Sequence, residues 1–404
     1  MKKYILSQRI SIECSADYQD ANIPLKYRQD YYILTDQIKD REYLINQTIK
    51  YFLDKFSSPK TLAEVIQEIA WEIHCDNKKI KKQCADFFKF LRHRKMVVPE
   101  SQTEHPESNL PLFKAGDCVD DLCISEVISS KKSVDIYRAV HKTTHEPYVI
   151  KLLNPNKVSD QKKYEEELLD LKHEFNMLQK IRHIPLMCQA YSFHTIDNQY
   201  TYILLENIQG KSISRFLKQT ADLTDFDFYS IIEDILRAFS CLHESNIVHG
   251  DIHPSNILVC EDKSVKIIDL GLSLDTNVEK DEMVKMGGVL FYMPPERINI
   301  SSVDKFSKEP DYHSDVYQLG LILYFIFYRK EPFEGFIWEE LSENIKKSEV
   351  TYPELSFLNR AVHDQVIRII QKCISKKPAK RYADATALLE DFNELVFKKE
   401  VSIS

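Results

Sequence analysis

Two short stretches constrain this chain more than any other feature: His249-Gly250-Asp251-Ile252-His253-Pro254-Ser255-Asn256 and Val265-Lys266-Ile267-Ile268-Asp269-Leu270-Gly271. The first presents an aspartate and, five residues on, an asparagine. The second brings another aspartate thirteen positions later, at the end of an apolar strand and just before a glycine. Transfer of a phosphoryl group from a magnesium nucleotide needs such parts. One carboxylate accepts the proton of the attacking hydroxyl, an amide oxygen holds one metal ion, and a second carboxylate holds the metals that bridge the phosphates.

These residues resemble the catalytic-loop and D-F-G motifs of the protein-kinase superfamily. The resemblance extends, in order and spacing, from about Leu122 to Phe397. Tyr148-Val149-Ile150-Lys151 is similar to the family's V-A-I-K strand, which implies that Lys151 grips the α- and β-phosphates. His173-Glu174-Phe175-Asn176-Met177-Leu178 lies in a helical pattern, and Glu174 matches the helix-C glutamate that pairs with that lysine. Ile203 to Ile208 resembles the strand and hinge that seat adenine, with Leu205 as gatekeeper. Gly288 to Glu296 resembles the end of the activation segment, and Ser314 to Gly320 the start of helix F. Lys377 to Arg381 resembles the segment whose arginine pairs with Glu296.

The resemblance implies an α+β, bilobal protein-kinase-like fold, with an N-lobe over 115–205 and a C-lobe over 209–404. It implies ATP and Mg²⁺ as cofactors. It makes Asp251, Lys151, Glu174 and Asn256 the catalytic residues, and Asn256 and Asp269 the metal ligands. Nucleotide contacts would come from Ile128, Ile136, Glu206 and Ile208 together with Lys151, Asn256 and Asp269.

The length of 404 residues accommodates a second domain beside one of kinase size. A net charge of −8 argues against a general nucleic-acid or anionic-membrane binder. Nine cysteines without C-x-x-C pairs suit reduced thiols better than a disulfide framework. The opening Tyr4-Ile5-Leu6 is too short an apolar run for a signal peptide. The run from Leu319 to Tyr328 is too short to span a bilayer and reads as a buried helix F. A cytoplasmic location is the expectation.

Val98 to Pro111 carries three prolines, three glutamates and few apolar residues. It divides the chain into a small domain over 1–100, a linker over 101–114 and the kinase-like domain over 115–404. In the small domain, Tyr31 to Leu34 and Glu42 to Ile45 read as strands, and Asn46 caps a helix striped with Ile49, Phe52, Leu53 and Phe56. Thr61-Leu62-Ala63-Glu64 is a capping-box sequence that opens a second helix. A third helix turns Ile80, Cys84, Phe87, Phe88 and Leu91 inward, and Met96 to Val98 reads as a closing strand. This winged-helix-like pattern, from Gln29 to Glu100, resembles the small peptide-binding protein of pyrroloquinoline quinone biosynthesis. The same fold recurs as the leader-peptide recognition element of enzymes that modify ribosomally made peptides. That resemblance implies a peptide substrate and peptide-modifying partner enzymes. A domain that only docks on the kinase lobe is the alternative. Lys78, Lys79, Lys81 and Lys82 at the start of helix three read as a solvated face, so no nucleic-acid partner is expected.

Four departures from the kinase pattern stand out. The glycine-rich loop falls at Ser129 to Val134 and contains no glycine, which leaves a plain hairpin tip or an unusual phosphate grip through Lys131 or Lys132. Gly250 stands where the family often has arginine, leaving no cation there to receive an activation-loop phosphate. His253 and Val289 replace the usual lysine and threonine partners of the catalytic aspartate. The expectation is an ATP- and Mg²⁺-dependent protein or peptide Ser/Thr kinase. The alternatives are a pseudokinase scaffold and, because H-G-D-x-H-P-x-N resembles kinases of aminoglycosides and choline, a small-molecule phosphotransferase.

Overall fold

The computed structural model describes residues 2–7, 10–14, 31–36, 41–72, 76–93, 96–100, 110–131, 133–158, 160–196, 200–220, 225–278, 289–298, 309–333, 338–355 and 360–401. The chain divides into two compact units, one of residues 1–112 with 129–132, the other of 113–128 with 133–404.

The first unit opens with β1 (Tyr4–Leu6), β2 (Ile10–Cys14), β3 (Tyr31–Asp36) and β4 (Arg41–Asn46). Then come α1 (Gln47–Asp54), α2 (Leu62–Glu72), α3 (Asn77–His93) and β5 (Val97–Pro99). Strands β2, β3 and β4 form an antiparallel sheet in that order, and β1 pairs with β5 from Tyr4 opposite Pro99 to Leu6 opposite Val97. Helix α2 starts where its sequence says it should. The Glu64 carboxylate accepts from the Thr61 N–H at 2.7 Å, and the Thr61 hydroxyl accepts from the Glu64 N–H at 3.2 Å, so two otherwise orphaned donors are satisfied. The core is aromatic, with Phe56 stacked on Phe88 and Tyr4 meeting Phe88 edge-on at 4.9 Å between centroids. Strands β1 and β2 are additions to the elements read from the sequence, and the expected closing strand is β5, which runs one residue further, to Pro99. Residues 101–109 of the expected linker lie outside the described residues.

The second unit carries β6 (Cys118–Val119), most of β7 (Leu122–Lys131), β8 (Val134–His141), β9 (Pro147–Leu153), α4 (Gln161–Lys180), β10 (Ala190–Ile196) and β11 (Tyr200–Glu206). The strands make one sheet in the order β10-β11-β9-β8-β7-β6. Next come β12 (Gly210–Ser212), α5 (Ile213–Gln219), α6 (Asp225–Glu244), β13 (Ile247–Val248), β14 (Ile257–Cys260), β15 (Val265–Ile267) and β16 (Leu274–Asp275). The rest is helical: α7 (Tyr312–Tyr328), α8 (Trp338–Lys347), α9 (Arg360–Cys373) and α10 (Ala385–Val401). A sheet-bearing part followed by a helical part is the α+β arrangement expected from the motifs.

Helix α7 is buried on nearly every side, apolar from Leu319 to Tyr328 and carrying buried Ser314, Asp315 and Gln318 in its first turns. Asp311 and Ser314 close a capping box at its start, and a left-handed Arg329 ends it. A Cβ at Gly320 would sit 2.4 Å from the Cβ of Cys373, so glycine is what lets α7 lie this close to α9. Among the described residues no helix is long and apolar enough to cross a membrane.

Two of the cysteines expected to be reduced are paired. Cys118 and Cys123 face each other across the β6–β7 hairpin with Cα atoms 4.2 Å apart and form a disulfide. Their spacing signals no motif; the hairpin register alone brings the two sulfurs together.

Candidate active site

Lys151 sits on β9 between β8 and β11, opposite Ile136 on one side and Ile203 on the other. Helix α4 buries Leu171, Met177 and Leu178 against the core, and that face carries Glu174 inward to 4% exposure. The two charges meet: Lys151 Nζ lies 2.7 Å from Oε1 and 2.6 Å from Oε2 of Glu174. Asp269 Oδ1 is 3.5 Å from the same ammonium. Burial disfavours the Lys151 charge, but the carboxylates of Asp269 and Glu174 outweigh it and raise the pKa above the usual lysine range. Asp269 is pulled down to about 2, chiefly by the Lys151 charge and against burial, with help from the Gly271 N–H that donates to Oδ1 at 3.2 Å. Asp269 takes a left-handed backbone (φ 68°), which turns its carboxylate back toward that N–H.

The loop from His249 to His253 joins β13 to a short 3₁₀ turn, Pro254–Asn256, ahead of β14. It is held by its backbone. The Asp315 carboxylate on α7 accepts the N–H groups of His249 at 2.7 Å and Gly250 at 2.8 Å, and Gln318 accepts that of Ile252 at 3.0 Å. The His249 ring packs edge-on against Phe239 of α6, 5.5 Å between centroids. Within the loop, Asn256 Nδ2 donates to the Asp251 carbonyl at 3.1 Å, and the Ile268 N–H donates to the Asn256 carbonyl at 2.9 Å. The two motifs that dominate the sequence are therefore tied to each other.

Asp251 Oδ1 accepts the Val289 N–H at 3.2 Å, and His253 Nε2 lies 3.7 Å from Oδ2. A backbone N–H and an imidazole thus surround this carboxylate. Val289, where the resemblance leads one to expect threonine, reaches this carboxylate through its main-chain N–H.

The donor set suits a hard cation. Asn256 has its NH₂ committed to Asp251, which leaves the amide oxygen as its acceptor, and Asp269 is ionised across the physiological range. Among the described residues no cluster of three or more His, Cys, Asp or Glu could hold a metal alone. Two oxygen donors completed by phosphates and water are what Mg²⁺ favours.

The residues expected around adenine have varied settings. Ile136 and Ile208 are half-buried, Leu205 is buried and Ile128 is exposed. The Glu206 carboxylate is engaged by Lys266 at 2.7 Å and by the Gln189 N–H at 3.1 Å, so its side chain braces the strand. In the glycine-free segment Ser133 is buried, with its hydroxyl donating to Glu167 at 2.9 Å and its carbonyl accepting from the Asn154 N–H at 2.7 Å. Lys132, one candidate phosphate contact, lies outside the described residues.

Two contributors escaped the sequence reading. Asp315 was legible only as part of a helix motif, and its role shows once α7 is placed beneath the loop. Arg297 directly follows Glu296. Its guanidinium, buried to 1% exposure, donates to the Gly250 carbonyl at 3.0 Å. A cation therefore does serve this loop, although position 250 has no side chain. The only signal was a second charged residue beside one already assigned.

The model of the "Protein kinase domain" family matches residues 127–392. The Aurora kinase of Debaryomyces hansenii is 28% identical over 275 residues, covering 66% of this chain and 62% of the relative. "Calcium-dependent protein kinase 6" of Plasmodium berghei is 24% identical over 365 residues, 87% of this chain and 23% of the relative. A Clostridium acetobutylicum protein described as a "Probable serine/threonine-protein kinase" is 25% identical over 277 residues, 67% and 39%. The chain thus spans between about a quarter and three fifths of these relatives' length. With the family model matching well over half of its residues, around an ion pair and two loops built as described, this chain belongs to the protein kinase family.

Proposed function

We propose that this chain is a Ser/Thr protein or peptide kinase that transfers the γ-phosphoryl group of ATP to a hydroxyl. The observation that carries the reading is the closed charge triad: Lys151 held by both oxygens of Glu174 and reaching Asp269 at 3.5 Å. In this reading Lys151 steadies the nucleotide phosphates, and Asn256 and Asp269 hold the metal. Bound Mg²⁺ would neutralise charge on the phosphates. Asp251, fixed by the Val289 N–H and the Asn256 amide, orients the acceptor hydroxyl and takes its proton as oxygen attacks the γ-phosphorus and ADP departs. Positioning supplies most of the rate enhancement.

The N-terminal unit supports a finer reading, that of a winged-helix-like element recognising a ribosomally made precursor peptide. Among the described residues β2 and β4 each pair only with β3, so both edges of that sheet suit strand addition by an extended peptide. The serines of such a peptide would be phosphorylated as a final mark or as activation for elimination by partner enzymes.

ADP release from Mg-ATP, alone and with Ser/Thr peptides, tests the assignment in wild type and in Asp251→Asn. The variant should bind ATP about as well as wild type and lose transfer by roughly 10²-fold or more. Wild-type turnover in Asp251→Asn would remove Asp251 from the chemistry. ATP binding without turnover in wild type would favour a scaffold, and transfer to small alcohols a small-molecule phosphotransferase.

A further inference from the structure

The peptide plane between Gly250 and Asp251 is held at both ends. Its carbonyl accepts from Arg297 Nη1 at 3.0 Å, and its N–H donates to His249 Nδ1 at 3.3 Å. The preceding N–H groups, of His249 and Gly250, are taken by Asp315. Rotation of this plane would carry the Asp251 side chain with it, so whatever fixes the carbonyl also aims the carboxylate.

Gly250 cannot supply that fixing itself. It is left-handed (φ 77°), and a Cβ there would lie 2.9 Å from the Leu272 carbonyl oxygen and 2.9 Å from Pro310 Cγ. A side chain is excluded on two counts, conformation and space. The cation arrives instead from the short 3₁₀ turn Pro295–Arg297. The neighbouring Glu296 anchors this turn through both carboxylate oxygens to Arg381, at 2.7 Å each. Burial disfavours the Arg297 charge, while the carboxylates of Asp315, Asp251, Glu296 and Asp311 favour it. Burial prevails and lowers its pKa, but from so high an ordinary value that the arginine stays protonated.

We propose that Arg297 is a positioning residue that fixes the catalytic loop from the end of the activation segment, in the place of a side chain at position 250. This rests on the kinase reading of Asp251. Since the cation that steadies the loop is already held on the chain's own Gly250 carbonyl, in the field of nearby carboxylates, no phosphate on the activation segment is needed to recruit it.

The test compares phosphatase-treated wild type, Arg297→Lys and Arg297→Ala, using casein as acceptor and steady-state kinetics for both substrates. Wild type should remain active after phosphate removal. Arg297→Ala should lose kcat by about 10²-fold with the KM for ATP within about threefold, the pattern of a misaimed group rather than of lost binding. Millimolar guanidinium should restore part of that kcat in Arg297→Ala and none in Asp251→Asn. Arg297→Lys should fall between, and it serves as the test if the alanine variant does not fold. An Arg297→Ala protein within about threefold of wild-type kcat overturns the proposal. So does a loss that guanidinium leaves untouched and that tracks an equal fall in thermal stability. Hydrogen exchange of residues 249–252 separates this proposal from the kinase reading. It should quicken in Arg297→Ala even if no acceptor is ever phosphorylated, and unchanged exchange sinks the positioning role alone.

Discussion

Arg381 and Glu296 meet as a parallel fork, Nη1 to Oε1 and Nη2 to Oε2, each at 2.7 Å. The same guanidinium donates to the carbonyls of Ser375 and His313 at 2.8 and 2.9 Å and lies over the ring of Tyr317. Four of the arginine's five N–H donors are directed at these three acceptors. Arg381→Met therefore removes the fork from the Glu296 carboxylate and a donor from each of two carbonyls. The expected cost is about 3–5 kcal/mol, or roughly 10 °C in melting temperature. Thermal unfolding followed by circular dichroism checks this, and a fall of under roughly 2 °C would show the fork to be ornamental.

The Asp269–Lys151 contact sets a direction for pH dependence. Asp269 is held at about 2, below the ordinary aspartate value of about 3.9 in an unfolded chain. A depressed carboxylate contributes stability that is complete above the unfolded value and is lost as pH falls through the folded one. Lys151, raised above its ordinary value, contributes stability that is complete below its unfolded pKa and lost only at strongly alkaline pH. The pair should therefore be insensitive to pH around neutrality and weaken in acid below about 4. Urea unfolding of wild type and Asp269→Asn between pH 7 and pH 3 reads this directly. The gap between the two proteins should hold steady down to about pH 4 and then narrow. A gap that does not change over the whole range would mean that Asp269 gains nothing from Lys151.

The residues legible in the sequence are those whose roles follow from local spacing. The Thr61–Glu64 box closes a helix start three residues long, and Asp251 to Asn256 spans a single loop, so neighbours in the chain are neighbours in space. Lys151 and Glu174 were legible because strand and helix patterns flank them and the family motif joins them. What stayed hidden depends on distant pairing. Tyr4 lies opposite Pro99 only after three helices have folded between them, and a three-residue strand has too little alternation to announce itself. Cys118 and Cys123 required a register, and Arg297 required knowing that Gly250 presents its carbonyl to a residue 47 positions away.

Restoring the family's arginine at position 250 should harm this protein rather than help it. The left-handed backbone there costs an ordinary residue about 1–2 kcal/mol. The Leu272 oxygen, at 2.9 Å from any added Cβ, belongs to backbone that cannot swing aside. Gly250→Ala already meets both penalties, so it should lower kcat by at least about tenfold, with Gly250→Arg worse. Neither should make activity respond to phosphorylation of the activation segment. If Gly250→Ala matched wild type in melting temperature and kcat, the close approach of Leu272 and Pro310 would be irrelevant to the loop.

The N-terminal unit offers a test that separates recognition from bracing. Its own core, with Phe56, Phe88, Leu53 and Leu91 buried together, is that of a unit able to hold its shape. If it binds part of a peptide substrate, tethering raises the effective concentration of the modified segment at Asp251. Deleting residues 1–105 should then raise KM for a long precursor peptide by tenfold or more, on the order of what tethering provides, while kcat holds. A short peptide carrying only the modified serines should react equally poorly with both proteins. A domain that merely braces the kinase domain predicts otherwise, a loss of kcat that is the same on both peptides. The ratio of kcat/KM for long and short peptides, measured on full-length and truncated protein, discriminates the two, and an equal fold-loss on both peptides would end the recognition reading.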